Sequence, residues 1–548
     1  MTPLPTSLRD DTFRWLADDI DPAAQAELQG VLARAMTGDD TAVAELTDRM
    51  SGALEFGTAG LRGPVRAGRN GMNRAVVTRT TAGVATWLAA HGQAGGTVVI
   101  GRDARHGSED FHADAADVLA AAGFDVRVLP EPLPTPVLAF AVQHLNAVAG
   151  IQITASHNPP ADNGYKLYDH TGGQIVPPTD SEVEAAIEAA PPAVSVPRAR
   201  TWTTIGPELV DAYLERAASV PRGTARDLRI VLTPMHGVGG ATAVEALRRA
   251  GFTDVRVVRA QAVPDADFPT VSFPNPEEPG ATDQLLALAA ESAADLAIAL
   301  DPDADRCAIG IPDTGGWHML RGDQTGSLLG AYVLSTLDRT VTPDPLVATT
   351  IVSSQLLRSI AASHGARYAE TLTGFKWLVR SGDGLVFAYE EALGLCVDPD
   401  AVRDKDGISA AIAAADLVAT AKAGGRSVRD LLDAMAVAHG VHLTDQVSPR
   451  FEDLREIGAL MAKLRQNPPA TLGGGPVTTE DLLPDADVYR LRGDGLRVVV
   501  RPSGTEPKLK AYLEIVESVR QPDELAEATA RATDRLATLR DDVTALLT

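Results

Sequence analysis

Short apolar β-rich runs alternate with helical stretches along most of this 548-residue chain, and that rhythm restricts it to α/β architectures. Residues 97–101, Thr-Val-Val-Ile-Gly, read as a buried strand, 108–123 as a helix closed by a glycine and 124–129 as the next strand. The cycle recurs as strand 229–233, a glycine-rich turn, helix 241–250, strand 295–300 and helix 326–337. Such units build parallel sheets covered by helices on both faces. Ligands then collect in the loops at the carboxyl ends of the strands.

A chain of this length exceeds one core, and at about 100–200 residues per domain it predicts three to five domains. Proline-rich linkers fall at 191–197 and 341–345, and a further break lies near 445–449. Beyond it the pattern changes to helix 452–466, strands near 488–491, 495–500 and 509–516, and a last helix from Glu524. The expected architecture is three doubly wound α/β domains plus a C-terminal α+β domain. The predicted boundaries are 1–208, 209–324, 325–446 and 447–548.

Charge narrows the partners. Seventy-three acidic residues against 49 basic ones give a net −24, which argues against nucleic acid and anionic membranes. No apolar run approaches the ~20 residues of a membrane span, and residues 1–21 lack a signal-peptide core. Two cysteines, Cys307 and Cys396, form neither a metal spacing nor a disulfide framework, which suits a reducing cytoplasm. An anionic substrate would require the basic residues to be concentrated locally.

Three loops carry chemistry. In Thr154-Ala-Ser-His-Asn-Pro159, a strand over 149–153 runs straight into a polar loop. Ser156 is thereby expected to be exposed at a strand's carboxyl end, with His157 and Lys166 as local activators. The same residues also suit an ordinary turn before Pro159. In Asp301-Pro-Asp-Ala-Asp-Arg306, carboxylates at alternate positions can converge on one hard cation such as Mg²⁺. A solvated acidic turn is the alternative. In Arg501-Pro-Ser-Gly-Thr-Glu-Pro-Lys508, Arg501, Ser503, Thr505 and Lys508 surround a glycine turn whose N–H groups suit an anion. Weaker signals are Gly57-Thr-Ala-Gly-Leu-Arg62, Thr373-Gly-Phe-Lys376, Tyr389-Glu-Glu-Ala-Leu-Gly394 and Asp404-Lys-Asp-Gly407.

Taken in order, these segments resemble the α-D-phosphohexomutase superfamily, the phosphoglucomutases and phosphomannomutases, over residues 56–512. The resemblance implies four domains around a central cleft, each bearing one motif. It makes Ser156 the phosphate carrier, with Mg²⁺ held by Asp301, Asp303, Asp305 and a phosphate oxygen on Ser156. Arg62, His157, Lys166 and Arg306 would surround the transferring group. Thr373, Gly374, Lys376, Glu390, Glu391 and Lys405 would meet the sugar or assist proton transfer. Arg501, Ser503, Gly504, Thr505 and Lys508 would grip the non-reacting phosphate. The implied reaction interconverts sugar 1- and 6-phosphates through a bisphosphate, with a phosphosugar as partner. It allows for a sugar-bisphosphate activator and leaves monomer or homodimer open.

One position departs. Family members commonly carry Ser after the paired glutamates, where this chain has Ala392. The surrounding phrases look like the branch containing phosphopentomutases and sugar-bisphosphate synthases. Losing one hydroxyl removes a hydrogen bond worth about 0.5–1.5 kcal/mol, so a pentose is the second reading after glucose or mannose. A metal-dependent phosphatase and a non-catalytic sugar-phosphate-binding protein remain as other classes. The absence of a Walker loop and a kinase signature argues against nucleotide use.

Overall fold

The computed structural model describes residues 4–57, 60–451, 454–503 and 508–547. The chain is mixed α/β, and it forms two compact units. The first comprises Met1–Pro221, Asp227–Gly310 and Asp398–Ala415, and the second Arg222–Arg226, Ile311–Val397 and Asp416–Thr548. Residues 398–415, expected with the third domain, thus belong to the first unit.

In the first unit, a six-stranded sheet runs in the order Leu61–Pro64, Asp162–Asp169, Ala149–Ile153, Thr97–Arg102, Asp125–Val128 and Thr203–Thr204. Its central strands are parallel, as the sequence pattern predicts. Asp162–Asp169 instead returns antiparallel on Ala149–Ile153. The Ser156 loop therefore spans two neighbouring strands of one sheet. Apolar residues of the helices Arg74–Ala90 and Ser108–Ala121, among them Val77, Val84, Phe111 and Leu119, cover the sheet core of Val98, Ile100, Ile151 and Ile153.

The second parallel motif of this unit sets Arg229–Thr233 between Asp254–Val257 and Leu296–Leu300. Cys307–Asp313 pairs antiparallel with Leu296–Leu300 through residues 307–310. The glycine-rich turn after Arg229–Thr233 has a steric reason: a Cβ on Gly237 would lie 2.4 Å from the Cα of Pro302. That close approach lets the acidic loop seat against the turn.

Three N-terminal helices, Thr6–Asp18, Pro22–Met36 and Asp40–Arg49, precede the expected alternation. Asp21 accepts from the N–H of Ala23, and Asp39 from those of Thr41 and Ala42, so each caps the orphaned donors of the helix it opens. Leu28, Val31, Leu32 and Leu46 bury the apolar faces.

The second unit holds the parallel strands Leu346–Thr350, Arg367–Thr371 and Leu385–Glu390 and a five-stranded antiparallel sheet. That sheet runs Val441–Val447, Leu509–Glu517, Leu496–Pro502, Tyr489–Gly493 and Thr478–Asp481. The expected boundary at 446/447 falls inside Val441–Val447, which pairs along its length with Leu509–Glu517. The helix Leu525–Leu546 buries Ala528, Ala532, Leu539 and Val543 in the core shared with this sheet. Among the described residues, no single helix is long and apolar enough to cross a membrane.

Buried Glu514 is the electrostatic centre of this unit. It accepts from the Ser354 hydroxyl at 2.6 Å, the Gln355 N–H at 2.9 Å and His442 Nδ1 at 3.0 Å, and it lies 2.9 Å from Arg497 Nη2. Burial raises its pKa, but Arg497 and His442 outweigh it and hold the carboxyl down to about 2. Its ordinary value is near 4.5. A depressed carboxyl stabilises the fold above the unfolded-state value and loses that stabilisation as pH falls towards the folded one. Between pH ~4.5 and ~2 the chain should lose about 3 kcal/mol from this group. Acid unfolding of Glu514→Gln should start from a less stable fold and lack that component of the slope; an unchanged slope would show that the group contributes none of it.

Candidate active site

Ser156 follows the strand Ala149–Ile153 and has φ +53°. A non-glycine residue in the left-handed region costs about 1 kcal/mol or more and marks a position fixed by its surroundings. Here Thr154 Oγ1 accepts from the Ser156 N–H at 2.9 Å. Gly164 underlies the loop, since a Cβ there would lie 2.5 Å from the Thr154 carbonyl oxygen. The serine is fully buried rather than exposed. Its hydroxyl donates to Asp301 Oδ2 at 2.8 Å and lies 3.3 Å from His157 Nδ1.

The acidic loop leaves the carboxyl end of Leu296–Leu300, and Asp301, Asp303 and Asp305 are all fully buried. Ala304 at φ +54° turns the chain within the alternation. One oxygen from each aspartate lies within 4.8 Å of the others. Lys166, on the returning strand Asp162–Asp169, donates to Asp303 Oδ2 at 2.6 Å and Asp305 Oδ2 at 2.8 Å. Thr135 Oγ1 donates to the same Asp303 oxygen at 2.5 Å. Asp303 Oδ1 and Asp305 Oδ1 are buried without a hydrogen-bond partner. Two orphaned carboxylate oxygens beside a third carboxylate are the donor set a hard divalent cation takes, so these residues fit Mg²⁺.

The electrostatics agree. Burial, then the charges of Asp303 and Asp305, push Asp301 well above the usual carboxylate range. Burial also opposes ionisation of Asp303 and Asp305, but Lys166 holds both below their ordinary value, aided at Asp305 by Lys405 and Arg306. Carboxylates crowded in this way favour a cation over three free charges.

The basic side holds Arg62, His157 and Arg306. Arg306 donates its backbone N–H to Asp301 Oδ1 at 3.0 Å and Nη1 to His157 Nδ1 at 2.8 Å. Arginine has no lone pair to offer, so His157 accepts at Nδ1 and is neutral. Burial, Arg306 and Arg62 push its pKa well below the ordinary value. Arg62 Nη1 donates to Asn158 Oδ1 at 3.2 Å, while its Nε is buried and unpaired. Burial, followed by the charge of Arg306, lowers the basicity of Arg62. Such cations suit an incoming phosphoryl group.

Lys405, expected to meet the sugar or assist proton transfer, lies beside the aspartates. Its Nζ lies 3.3 Å from Asp305 Oδ2, and its neighbour Asp404 accepts from Tyr168 and Gln174 at 2.8 Å each. The pattern gave no sign of two further residues, Thr135 and Arg105. Arg105 follows the strand Thr97–Arg102, beside the carboxyl end of Ala149–Ile153, and donates to four carbonyls of the Ser156 loop. The one available signal was its position, three residues beyond a buried strand next to Asp103.

The remaining expected residues lie in the second unit. Thr373 and Gly374 (φ +113°) lead into the short helix Phe375–Leu378, which carries Lys376. Glu390 ends Leu385–Glu390. Glu391 accepts from Thr350 Oγ1 at 3.1 Å and Ser353 Oγ at 3.0 Å, so its carboxylate is held within the unit. Ala392 is followed by Leu393 at φ +64°. Arg501 lies on Leu496–Pro502 opposite Lys510. The Ser503 N–H donates to the Lys508 carbonyl at 2.8 Å. Gly504 and Thr505 lie outside the described residues.

Known proteins resemble the chain along its length. Family models match for phosphoglucomutase/phosphomannomutase alpha/beta/alpha domains I, II and III over residues 53–193, 210–315 and 321–438, and for the C-terminal domain over 451–532. A probable phosphomannomutase of Haemophilus influenzae is 43% identical over 456 residues, covering 81% of this chain and 93% of that protein. The phosphopentomutase of Homo sapiens is 33% identical over 534 residues, covering 86% of each. The crystal structure of a phosphoglucomutase/phosphomannomutase family protein from Burkholderia thailandensis shares the fold with a TM-score of 0.68 at 19% identity. It covers 90% of this chain and 97% of that one.

Proposed function

Because the chain belongs to the phosphoglucomutase/phosphomannomutase family and is a phosphosugar mutase, an intramolecular phosphotransferase, we propose that it interconverts hexose 1- and 6-phosphates, of glucose or mannose, through phospho-Ser156. The observation that carries this reading is the Ser156 hydroxyl, held on Asp301 at the edge of a buried aspartate triad with two unpaired oxygens.

Asp301, Asp303 and Asp305, with a phosphate oxygen on Ser156, would hold Mg²⁺, which would supply charge neutralisation at the transferring phosphoryl group. Arg62, His157 and Arg306 donate to the same oxygens. Lys166 and Lys405 balance the aspartates and fix their orientation. Phosphoryl transfer demands such positioning and electrostatics more than covalent chemistry. The bond from phosphorus to Ser156 Oγ breaks as one to a sugar hydroxyl oxygen forms, and the hydroxyl proton leaves to a basic side chain. The resulting bisphosphate turns over, and its other phosphate returns to Ser156. Thr373, Gly374, Lys376, Glu390 and Glu391 belong to sugar recognition. Arg501, Ser503, Gly504, Thr505 and Lys508 grip the phosphate that is not reacting. A sugar bisphosphate re-primes Ser156 when an intermediate escapes. Buried free thiols at Cys307 and Cys396 suit a reducing cytoplasm.

Rates on glucose, mannose and ribose 1-phosphates, measured side by side, test the substrate. A hexose turning over about tenfold faster, a barrier difference of about 1.4 kcal/mol, supports the reading. Ala392 and the similarity to a phosphopentomutase favour the pentose as second reading, and ribose 1-phosphate leading by that margin would replace the hexose. The metal has its own test. Asp305→Asn should weaken Mn²⁺ binding, followed by its paramagnetic signal, by at least about 100-fold, because outer-shell partners alone are worth about 10–100-fold. Equal affinity would remove Asp305 from the ligand set.

A further inference from the structure

A cavity of about 650 Å³ lies in the first unit, between the helices Thr6–Asp18, Arg74–Ala90 and Thr179–Glu188 and residues 53–55. That volume is within the range of about 300–1,000 Å³ typical of small-molecule sites. It is lined by Arg69 and Arg79, neither of which has a carboxylate partner within ion-pair distance among the described residues. In a chain of net −24, two arginines that line one cavity without a salt bridge are conspicuous, the more so as Glu55, Glu184 and Glu188 line it with them. Arg79 gives Nη2 to the carbonyls of Glu188 at 3.4 Å and Ala190 at 3.2 Å, and its Nε is buried without a partner. Burial, then the charge of Arg69, lower its basicity, against the opposing pull of Asp18.

The rest of the lining is mixed. Trp15, 6% exposed, borders the cavity, and its indole N–H has no acceptor. Glu55, Glu188, Ser181 and Glu184, whose Oε1 already accepts from the Phe56 N–H, add oxygen acceptors. Paired guanidinium groups take phosphate oxygens in a planar, bidentate fashion. Carboxylates accept hydrogen bonds from hydroxyls, and an indole offers an apolar face. Inorganic phosphate would use only the first of these, whereas a phosphorylated polyol uses all three.

We propose that this cavity is a second, non-catalytic binding site for a sugar phosphate, whose phosphate pairs with Arg69 and Arg79 and whose hydroxyls meet the cavity carboxylates. The site shares no residue with the Ser156 loop or the aspartate triad.

The test uses the full-length chain carrying Ser156→Ala, which stops turnover. Glucose 6-phosphate and, separately, ribose 5-phosphate are titrated by calorimetry into this parent and into two further variants of it. One is Arg69→Ala with Arg79→Ala, which removes the charge. The other is Ala185→Trp, on the exposed side of the lining, which fills the space and leaves both arginines. The expected result is one binding event weakened at least about tenfold in both variants, with circular dichroism unchanged. Isotherms that superimpose on the parent, or loss in only one variant, would overturn the proposal. Failure here leaves the role of Ser156 untouched.

Discussion

Replacing Ser156 with alanine should lower mutase turnover by at least about 10³-fold, because no other group can carry the phosphate once the nucleophile is gone. The substitution is clean in structural terms. Serine and alanine meet the same backbone penalty at φ +53°, so no strain is added. The volume lost is one oxygen in a fully buried position. The Asp301 oxygen that accepted from the hydroxyl loses a partner, at a cost of about 1–3 kcal/mol. Folding should therefore survive while turnover does not. A coupled assay for product measures the rate, and peptide mapping of intact protein should find phosphate on Ser156 in the natural chain and none in the variant. Substantial residual mutase activity would remove Ser156 from the reaction. Release of inorganic phosphate in place of isomerised sugar would convert the mutase into a phosphatase.

Ser156, Asp301, Asp303 and Asp305 were legible because their chemistry is local. Each sits within a few residues of a strand end, and a short apolar strand running into a polar loop is visible in one dimension. The burial of Ser156 was not legible. It follows from Asp162–Asp169 folding back antiparallel and from contact with a loop 145 residues away, and neither has a local signal. The place of Lys405 was hidden for the same reason, since residues 398–415 pack with the first unit and bring its Nζ to Asp305. The three N-terminal helices lie outside the strand–helix alternation, although Asp21-Pro22 and Asp39-Asp40 are ordinary helix-start signals.

Arg105 was the least legible of these residues, and its replacement should produce the largest loss of stability. Its side chain is almost wholly buried, with Nε 3.2 Å from Asp103 Oδ2. Nη1 donates to the carbonyls of Pro159 at 2.8 Å and Asp162 at 3.2 Å, and Nη2 to those of Ser156 at 2.5 Å and Asn158 at 2.8 Å. The guanidinium also lies 5.0 Å from the centre of the Phe268 ring. One side chain thus satisfies four carbonyls of a single loop, which only a planar fork of donors can do. Arg105→Ala strands those acceptors and leaves Asp103 buried without its counter-charge, a loss of about 3–5 kcal/mol by denaturant unfolding. Arg105→Lys separates the two roles. The lysine keeps a charge opposite Asp103, so much of the stability should return, but it cannot hold four carbonyls at once. Ser156 then shifts, and a misplacement of about 1 Å costs about 10²-fold in kcat with KM little changed. A lysine variant that regains stability and turns over like the natural chain would show that Arg105 supports the fold without positioning Ser156.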